Sequence, residues 1–112
     1  MSDFQDFLKR DYAHVTIGEF KPGKFAEAEK LYEEAVAAYG KGFRAAYLLQ
    51  DPDSNRGISV ILWDSLDTLT QENQDEVHQA IFKKMAPLFT QLPEAKVYEV
   101  VYEKQIPSDP VE

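Results

Sequence analysis

The spacing of apolar residues alternates between two periods along the chain, and this order constrains the fold more than any other feature. A period of two residues, typical of strands, recurs four times, and stretches with the longer helical period separate the strands. Strands are predicted over residues 13–20, 43–50, 58–63 and 96–103. Helices are predicted over residues 24–39 and 65–92, with a polar break at 71–74 that divides the second helix. This order, βαββαβ, indicates an α+β ferredoxin-like domain, a four-stranded antiparallel sheet with its helices on one face.

The chain has 112 residues, enough for one domain and too few for two. We assign residues 13–104 to that domain. Residues 1–12 place apolar side chains at helical spacing and are expected to form an N-terminal helical arm. Residues 105–112, which include two prolines, are expected to form a C-terminal tail.

The predicted strands are more apolar than a sheet with one solvated face requires. Residues 58–63 read Ile-Ser-Val-Ile-Leu-Trp, with apolar side chains on both faces, and strand two places Phe43, Ala45, Tyr47 and Leu49 on one face. One face can pack against the helices, and the other needs a cover. A second copy of the sheet is the simplest cover, so we expect a homodimer formed through the sheet face.

Charge and composition exclude several classes of function. The formal net charge is -8, which repels nucleic acid and anionic membrane surfaces, so neither is an expected partner. The chain has no cysteine, which excludes disulfides, thiolate zinc sites and cysteine nucleophiles. Its two histidines are not at a metal-binding spacing, and no metal is expected. No signal peptide or membrane-spanning run is visible, so the expected location is cytoplasmic.

Four segments carry a family resemblance: Ile-Gly-Glu-Phe-Lys-Pro-Gly-Lys-Phe at 17–25, Val-Ile-Leu-Trp-Asp-Ser at 60–65, His-Gln-Ala-Ile-Phe at 78–82 and Ala-Pro-Leu-Phe at 86–89. With these segments the chain resembles the antibiotic biosynthesis monooxygenase type of dimeric α+β barrel. The resemblance implies two sheets packed back to back in a homodimer. It does not define one activity, because the family includes cofactor-free oxygenases of quinols and polyketides, haem-degrading proteins and members without known activity.

The haem-degrading branch of this family uses an Asn in strand one, a Trp in the second helix and a His further along that helix. The corresponding positions in this chain are Thr16, Glu72 and Phe82, and none of them matches. Haem degradation is therefore disfavoured, and no cofactor is expected.

His78 is the candidate catalytic residue. It resembles the His that many family members carry near the start of the last helical stretch, where a neutral imidazole could take a proton from a phenol. The alternative is a solvent-facing or helix-capping His beside Asp75 and Glu76.

Six further residues are candidates for a substrate pocket: His14, Thr16, Arg44, Tyr47, Trp63 and Phe82. The aromatic members suit a planar ligand, and Arg44 could steer a carboxylate or phenolate. All of them except Thr16 also have a structural alternative: a partly exposed position at a strand end for His14, core or interface packing for the aromatic residues, and an ion pair across the interface for Arg44.

The leading hypothesis is a cofactor-independent monooxygenase-like protein that acts on a small aromatic or quinol-type molecule. The alternative is a non-enzymatic dimer that binds a small hydrophobic ligand, or a stress-responsive barrel, and a third possibility is haem binding without degradation. The sequence shows no nucleophile elbow, phosphate loop, dinucleotide fingerprint or paired-carboxylate motif, so a hydrolase or kinase function has no support.

Overall fold

The computed structural model describes residues 10–106, which form a four-stranded antiparallel sheet with helices on one face. The strands are β1 (Tyr12–Glu19), β2 (Phe43–Gln50), β3 (Arg56–Trp63) and β4 (Glu94–Glu99). The helices are α1 (Phe25–Ala37), α2 (Leu66–Asn73) and α3 (Glu76–Met85), and a short 3₁₀ helix (Ala86–Leu88) follows α3. The α+β ferredoxin-like fold predicted from the sequence is confirmed.

The strands lie in the order β2-β3-β1-β4, so β1 is inside the sheet and β2 and β4 form its edges. All three pairings are antiparallel. Thr16 of β1 lies opposite Ser59 of β3 and Ala95 of β4. Because successive side chains of a strand point to opposite faces, these three side chains share one face of the sheet, the face toward the helices.

A β-bulge in β2 changes which of its residues face the helices. Phe43 lies opposite Trp63, but Ala45 lies opposite Leu62, so Arg44 is an extra residue in the strand. Phe43 therefore lies on the helix side of the sheet with Trp63, whereas Ala45 points to the other side. The prediction that Phe43 shares a face with Ala45 and Tyr47 was wrong, because an alternating pattern does not reveal a bulge.

Two apolar clusters fill the space between the sheet and the helices at opposite ends of β3. At one end the ring of Phe20 stacks on Phe89, with ring centroids 4.4 Å apart, and the buried side chains of α1 and α3 surround them. At the other end Trp63 is fully buried, and the edge of its ring meets Tyr39 at 4.8 Å. Residues between the two clusters line the cavity described below.

The second helical region is divided in two, as the polar break at 71–74 predicts, and each of its helices begins at a side-chain cap. The Ser65 hydroxyl accepts a hydrogen bond from the backbone N–H of Thr68 at 3.2 Å and begins α2. The Asp75 carboxylate accepts from the backbone N–H of Val77 at 3.0 Å and begins α3. The second cap fixes the position of α3 and of His78 in its first turn.

The side of the sheet away from the helices, called the outer face below, is rich in apolar side chains. From β1 and β3 it carries Val15, Ile17, Ile58, Val60 and Leu62, each of which is partly buried. Toward its two edges Tyr47, Leu49 and Tyr98 are about half exposed. The sequence prediction of apolar residues on both faces of strand three is confirmed.

The ends of the chain differ from the prediction in detail. Strand β4 ends at Glu99, which is paired with Tyr12 at the start of β1, whereas the prediction extended it to residue 103. Residues 1–9 of the predicted helical arm and residues 107–112 of the predicted tail lie outside the described part of the chain. No helix within residues 10–106 is long and apolar enough to cross a membrane.

Candidate functional site

A cavity of about 390 Å³ lies between the helix-facing side of the sheet and the helices. Alternate residues of β1 and β3 form its floor, and α1 and α3 form its walls. The polar side chains that line it are His14, Thr16, Tyr32, Tyr39 and Ser59. The apolar lining includes Leu48, Ile61, Phe82, Met85, Phe89 and Leu92. A cavity of this size, mostly apolar with a few polar groups, suits a small hydrophobic molecule.

Two paired glycines allow one end of the cavity to close. Gly18 of β1 lies opposite Gly57 of β3. A Cβ atom on Gly18 would lie 2.6 Å from the ring of Phe89, and one on Gly57 would lie 2.7 Å from the ring of Phe20. Both distances are too short for carbon–carbon contact, so the stacked rings rest on the sheet only because these positions lack side chains.

The open side of the cavity lies near the segment that leads from α3 to β4. Leu92 lines the cavity although its side chain is 83% exposed, and Phe82 is 40% exposed. Both residues therefore border the cavity where it meets solvent.

The charge of the cavity is close to zero. No Lys, Arg, Asp or Glu of the described part of the chain lines it, in contrast to the strong negative charge of the whole sequence. Burial raises the pKa of Tyr39, and its neighbours Tyr32 and Glu72 add to the rise, so this phenol stays neutral. Such a cavity favours an uncharged ligand, because a buried charge would have no partner there.

His14 presents a neutral imidazole to the cavity. Burial lowers the pKa of His14 below its usual value of 6.5, because the charged form loses hydration. None of the side-chain hydrogen bonds within residues 10–106 involves the ring of His14, and neither ring nitrogen is buried without a partner. One ring nitrogen of a neutral imidazole carries a lone pair, so His14 can accept a proton from a bound molecule.

Three residues form a hydrogen-bonded chain beside His14. The Ser59 hydroxyl donates to the Tyr32 oxygen at 3.0 Å, and the Tyr32 hydroxyl donates to the backbone carbonyl of Tyr47 at 2.9 Å. Burial raises the pKa of Tyr32, and these two hydrogen bonds oppose that rise. Thr16 lies opposite Ser59, so the floor of the cavity carries three adjacent polar side chains, His14, Thr16 and Ser59.

His78 lies behind the cavity wall and does not line it. Its side chain is 1% exposed. The Nε2 atom donates to the backbone carbonyl of Ala35 at 3.0 Å, and Nδ1 lies 3.1 Å from Oδ2 of Asp75. The imidazole stacks on Tyr39, with ring centroids 4.3 Å apart, and Tyr39 and Ala35 separate it from the cavity. A general base needs a lone pair directed at the reacting proton, and the geometry gives His78 none.

The other predicted pocket residues divide into three groups, of which Trp63 alone forms the third. Thr16 and Phe82 line the cavity together with His14. Arg44 and Tyr47 lie on the outer face, where Nε of Arg44 is 3.5 Å from the Asp11 carboxylate and the Tyr47 side chain is half exposed.

Trp63 belongs to the core behind the cavity wall. It is completely buried, and its ring meets those of Tyr39 and Phe43. Its indole N–H has no acceptor within the described residues. Trp63 thus supports the Tyr39 wall and does not reach the cavity.

Three polar cavity residues were not predicted from the sequence: Tyr32, Tyr39 and Ser59. The two tyrosines were assigned to the apolar stripe of the first helix, as core residues. Ser59 carried a usable signal, since it is the only hydroxyl in a six-residue apolar strand. Within residues 10–106 no group of three His, Cys, Asp or Glu side chains is arranged to hold a metal ion.

Comparison with solved structures supports the fold. No protein-family model and no curated protein matches the sequence. The structure is similar to a candidate antibiotic biosynthesis monooxygenase from Caulobacter crescentus, with a TM-score of 0.75 and 20% identity over 88% of this chain and 99% of that one. It is similar to SnoaB, a cofactor-independent oxygenase from Streptomyces nogalater, with a TM-score of 0.73 and 18% identity over 88% of this chain and 99% of that one.

A third similar structure is a candidate antibiotic biosynthesis monooxygenase from Chloroflexus aurantiacus, with a TM-score of 0.73 and 18% identity over 87% of this chain and 99% of that one. The resemblance noted in the sequence is therefore confirmed for the fold. The chain has the ferredoxin-like fold of the proteins named antibiotic biosynthesis monooxygenases.

Proposed function

We propose that this chain is a cofactor-independent monooxygenase that acts on a small aromatic or quinol-type molecule bound in the cavity. The observation that carries the proposal is the position of His14, a neutral imidazole with no hydrogen-bond partner within residues 10–106, on the floor of a mostly apolar, uncharged cavity. The fold shared with a cofactor-independent oxygenase, SnoaB, supports the same chemistry.

The reaction needs only groups that the cavity supplies. His14 takes the hydroxyl proton of a bound phenol, and the resulting anion carries its negative charge partly on a ring carbon. That carbon forms a bond to dioxygen, and the peroxide anion takes the proton back from His14. Breaking the O–O bond and losing the ring hydrogen gives a quinone and one molecule of water, so the substrate supplies all the electrons. The protein's part is to bind the substrate, hold a proton and exclude water.

The proposed working form is a homodimer joined through the outer face. The exposed apolar side chains of Tyr47, Leu49 and Tyr98 and the apolar outward positions of β3 support this assembly. A second copy of the outer face would pack its own apolar side chains against these and remove both sets from water.

A second candidate is a non-enzymatic protein that binds a small hydrophobic ligand in the same cavity. One observation favours it. No carboxylate or carbonyl within residues 10–106 hydrogen-bonds the ring of His14, whereas catalytic imidazoles are commonly oriented by such a partner. This candidate predicts that ligands stabilise the fold without any consumption of oxygen.

Oxygen uptake by the metal-stripped protein across a panel of hydroquinones, naphthols and polycyclic phenols separates the two candidates. The oxygenase proposal predicts uptake above the autoxidation rate and a loss of about a hundredfold or more in His14→Phe, which keeps the ring but removes its nitrogens. Tyr102→Phe is the matched control, since Tyr102 is exposed and lies outside the sheet. Uptake at the autoxidation rate together with ligand-induced stabilisation would favour the binding protein.

A further inference from the structure

The hydrogen-bonded chain from Ser59 to Tyr47 has only one possible direction. The Tyr47 carbonyl oxygen can accept but not donate, so Tyr32 must give its single hydroxyl proton to that oxygen. The Tyr32 oxygen then has only lone pairs for Ser59, and Ser59 must give its own single proton to Tyr32. Both hydroxyl protons are therefore used within the hydrogen bonds from Ser59 to Tyr32 and from Tyr32 to Tyr47.

This direction leaves Ser59 without a proton for a ligand. The Ser59 oxygen lines the cavity and keeps lone pairs, so it can only accept. An ether or quinone oxygen placed against it would meet another acceptor, and neither oxygen would have a partner. A ligand hydroxyl in the same place would donate to Ser59 and add one hydrogen bond to the series that joins Ser59, Tyr32 and Tyr47.

We infer that Ser59 and Tyr32 make the cavity selective for a phenol or hydroquinone over the methyl ether or quinone of the same ring system. The inference rests on the proposed function, because it takes an aromatic molecule in this cavity as the ligand. Ser59 makes the contact that discriminates between the ligands, and its hydrogen bond to Tyr32 determines that Ser59 is the acceptor in this contact.

The neighbouring polar residues do not supply the same discrimination. Thr16, opposite Ser59, has a hydroxyl that rotates and can donate or accept, and the neutral imidazole of His14 has one nitrogen of each kind. Both can therefore serve either class of ligand. The selectivity arises at Ser59 and amounts to one mismatched hydrogen bond, or roughly tenfold in affinity.

The same contact also distinguishes the substrate from the product of the proposed reaction. A hydroquinone has two hydroxyls, so one can give its proton to His14 while the other donates to Ser59. In the quinone product both of these oxygens are carbonyls, and the one beside Ser59 is an acceptor. The product thus loses a hydrogen bond that the substrate had, which favours its release from the cavity.

The test is calorimetric titration of the full chain with β-naphthol and with its methyl ether, which share one ring system. The wild type should bind β-naphthol about tenfold more tightly. Ser59→Ala removes the acceptor, so β-naphthol should fall to the affinity of the ether. Tyr32→Phe frees the Ser59 proton, so the ether should gain affinity and approach β-naphthol. Tyr102→Phe removes an exposed phenol that does not line the cavity, so this variant should keep the tenfold preference.

Each result decides the inference. Equal wild-type binding of the two ligands overturns the selectivity but leaves the aromatic-ligand cavity intact. Failure of both ligands to bind overturns the proposed function and the inference with it. If Tyr32→Phe does not fold by circular dichroism, Ser59→Ala decides alone, and a tenfold preference retained in that variant would contradict the role of Ser59.

Discussion

Replacing His78 with Ala should destabilise the fold strongly, because the structure gives this residue a packing role. The side chain is 1% exposed, stacks on Tyr39 and donates to the carbonyl of Ala35. Truncating a buried aromatic side chain to Ala costs about 3–5 kcal/mol, and the smaller imidazole lies at the lower end of that range. The contact with Asp75 adds little, because the Asp75 side chain is 41% exposed.

The Ala35 carbonyl limits the loss, since it also accepts from the backbone N–H of Ala38 and keeps a partner in the variant. We therefore expect His78→Ala to lower the free energy of unfolding by about 3 kcal/mol, and Tm by roughly 12 °C for a domain of this size. Thermal and urea unfolding followed by circular dichroism measure both quantities. His14→Ala is the control and should lose less than about 1 kcal/mol, because its ring borders a cavity. A Tm for His78→Ala within about 3 °C of the wild type would refute the assigned packing role.

Three further predictions concern the site and the outer face. Burial lowers the pKa of His14, so the free energy of unfolding that this residue contributes should be fully present above pH 6.5 and be lost as pH falls through the lower pKa of the folded state. Urea unfolding measured at a series of pH values should show this decrease in the wild type and not in His14→Phe. Gly18→Ala should lower the free energy of unfolding by about 1–3 kcal/mol, because the added Cβ would lie 2.6 Å from the ring of Phe89. Gly23→Ala is the comparison: its Cβ would meet no atom within 4 Å, but the φ of Gly23 is 78°, so this variant tests backbone strain alone. Leu49→Lys should convert the proposed homodimer to monomer in sedimentation velocity, and a dimer that persists would place the interface elsewhere.

The element order could be predicted from the sequence because local signals agree with the final fold. Ser65 or Asp67 was expected to cap the second helical region, and Ser65 begins α2. The interruption of the second helical region is also present, although Asp75 begins α3 slightly later than the polar run suggested. Along β1, alternation alone placed His14 and Thr16 on one face, and both reach the cavity.

The role of His78 could not be predicted from the sequence, because it depends on a contact distant along the chain. The helical pattern placed Val77 in the apolar stripe, but Val77 is exposed and His78 is buried. Burying a polar ring is tolerable only where its nitrogens find partners, and one partner, the Ala35 carbonyl, is 43 residues away in sequence. A resemblance that placed a His in this region could not show which side of the wall its ring occupies.

Two details near the start of β2, the conformation of a glycine and a β-bulge, also differed from the prediction. Gly40 and Gly42 were expected to end the first helix, with Gly40 directly after its last turn, but α1 ends at Ala37 and, of these two glycines, Gly42 has the positive φ. The bulge at Arg44 moved Phe43 to the helix side of the sheet. Neither feature changes the local apolar pattern, so the sequence did not reveal them.

The measurement that tests the central claim most directly is the fate of isotopically labelled dioxygen during turnover of a naphthol by the metal-stripped protein. The account predicts one labelled oxygen atom in each quinone formed, the other label in water, and loss of the labelled product in His14→Phe. Quinone that forms without label, or labelled quinone formed equally well by His14→Phe, would contradict the claim that His14 and this cavity carry out a cofactor-free monooxygenation.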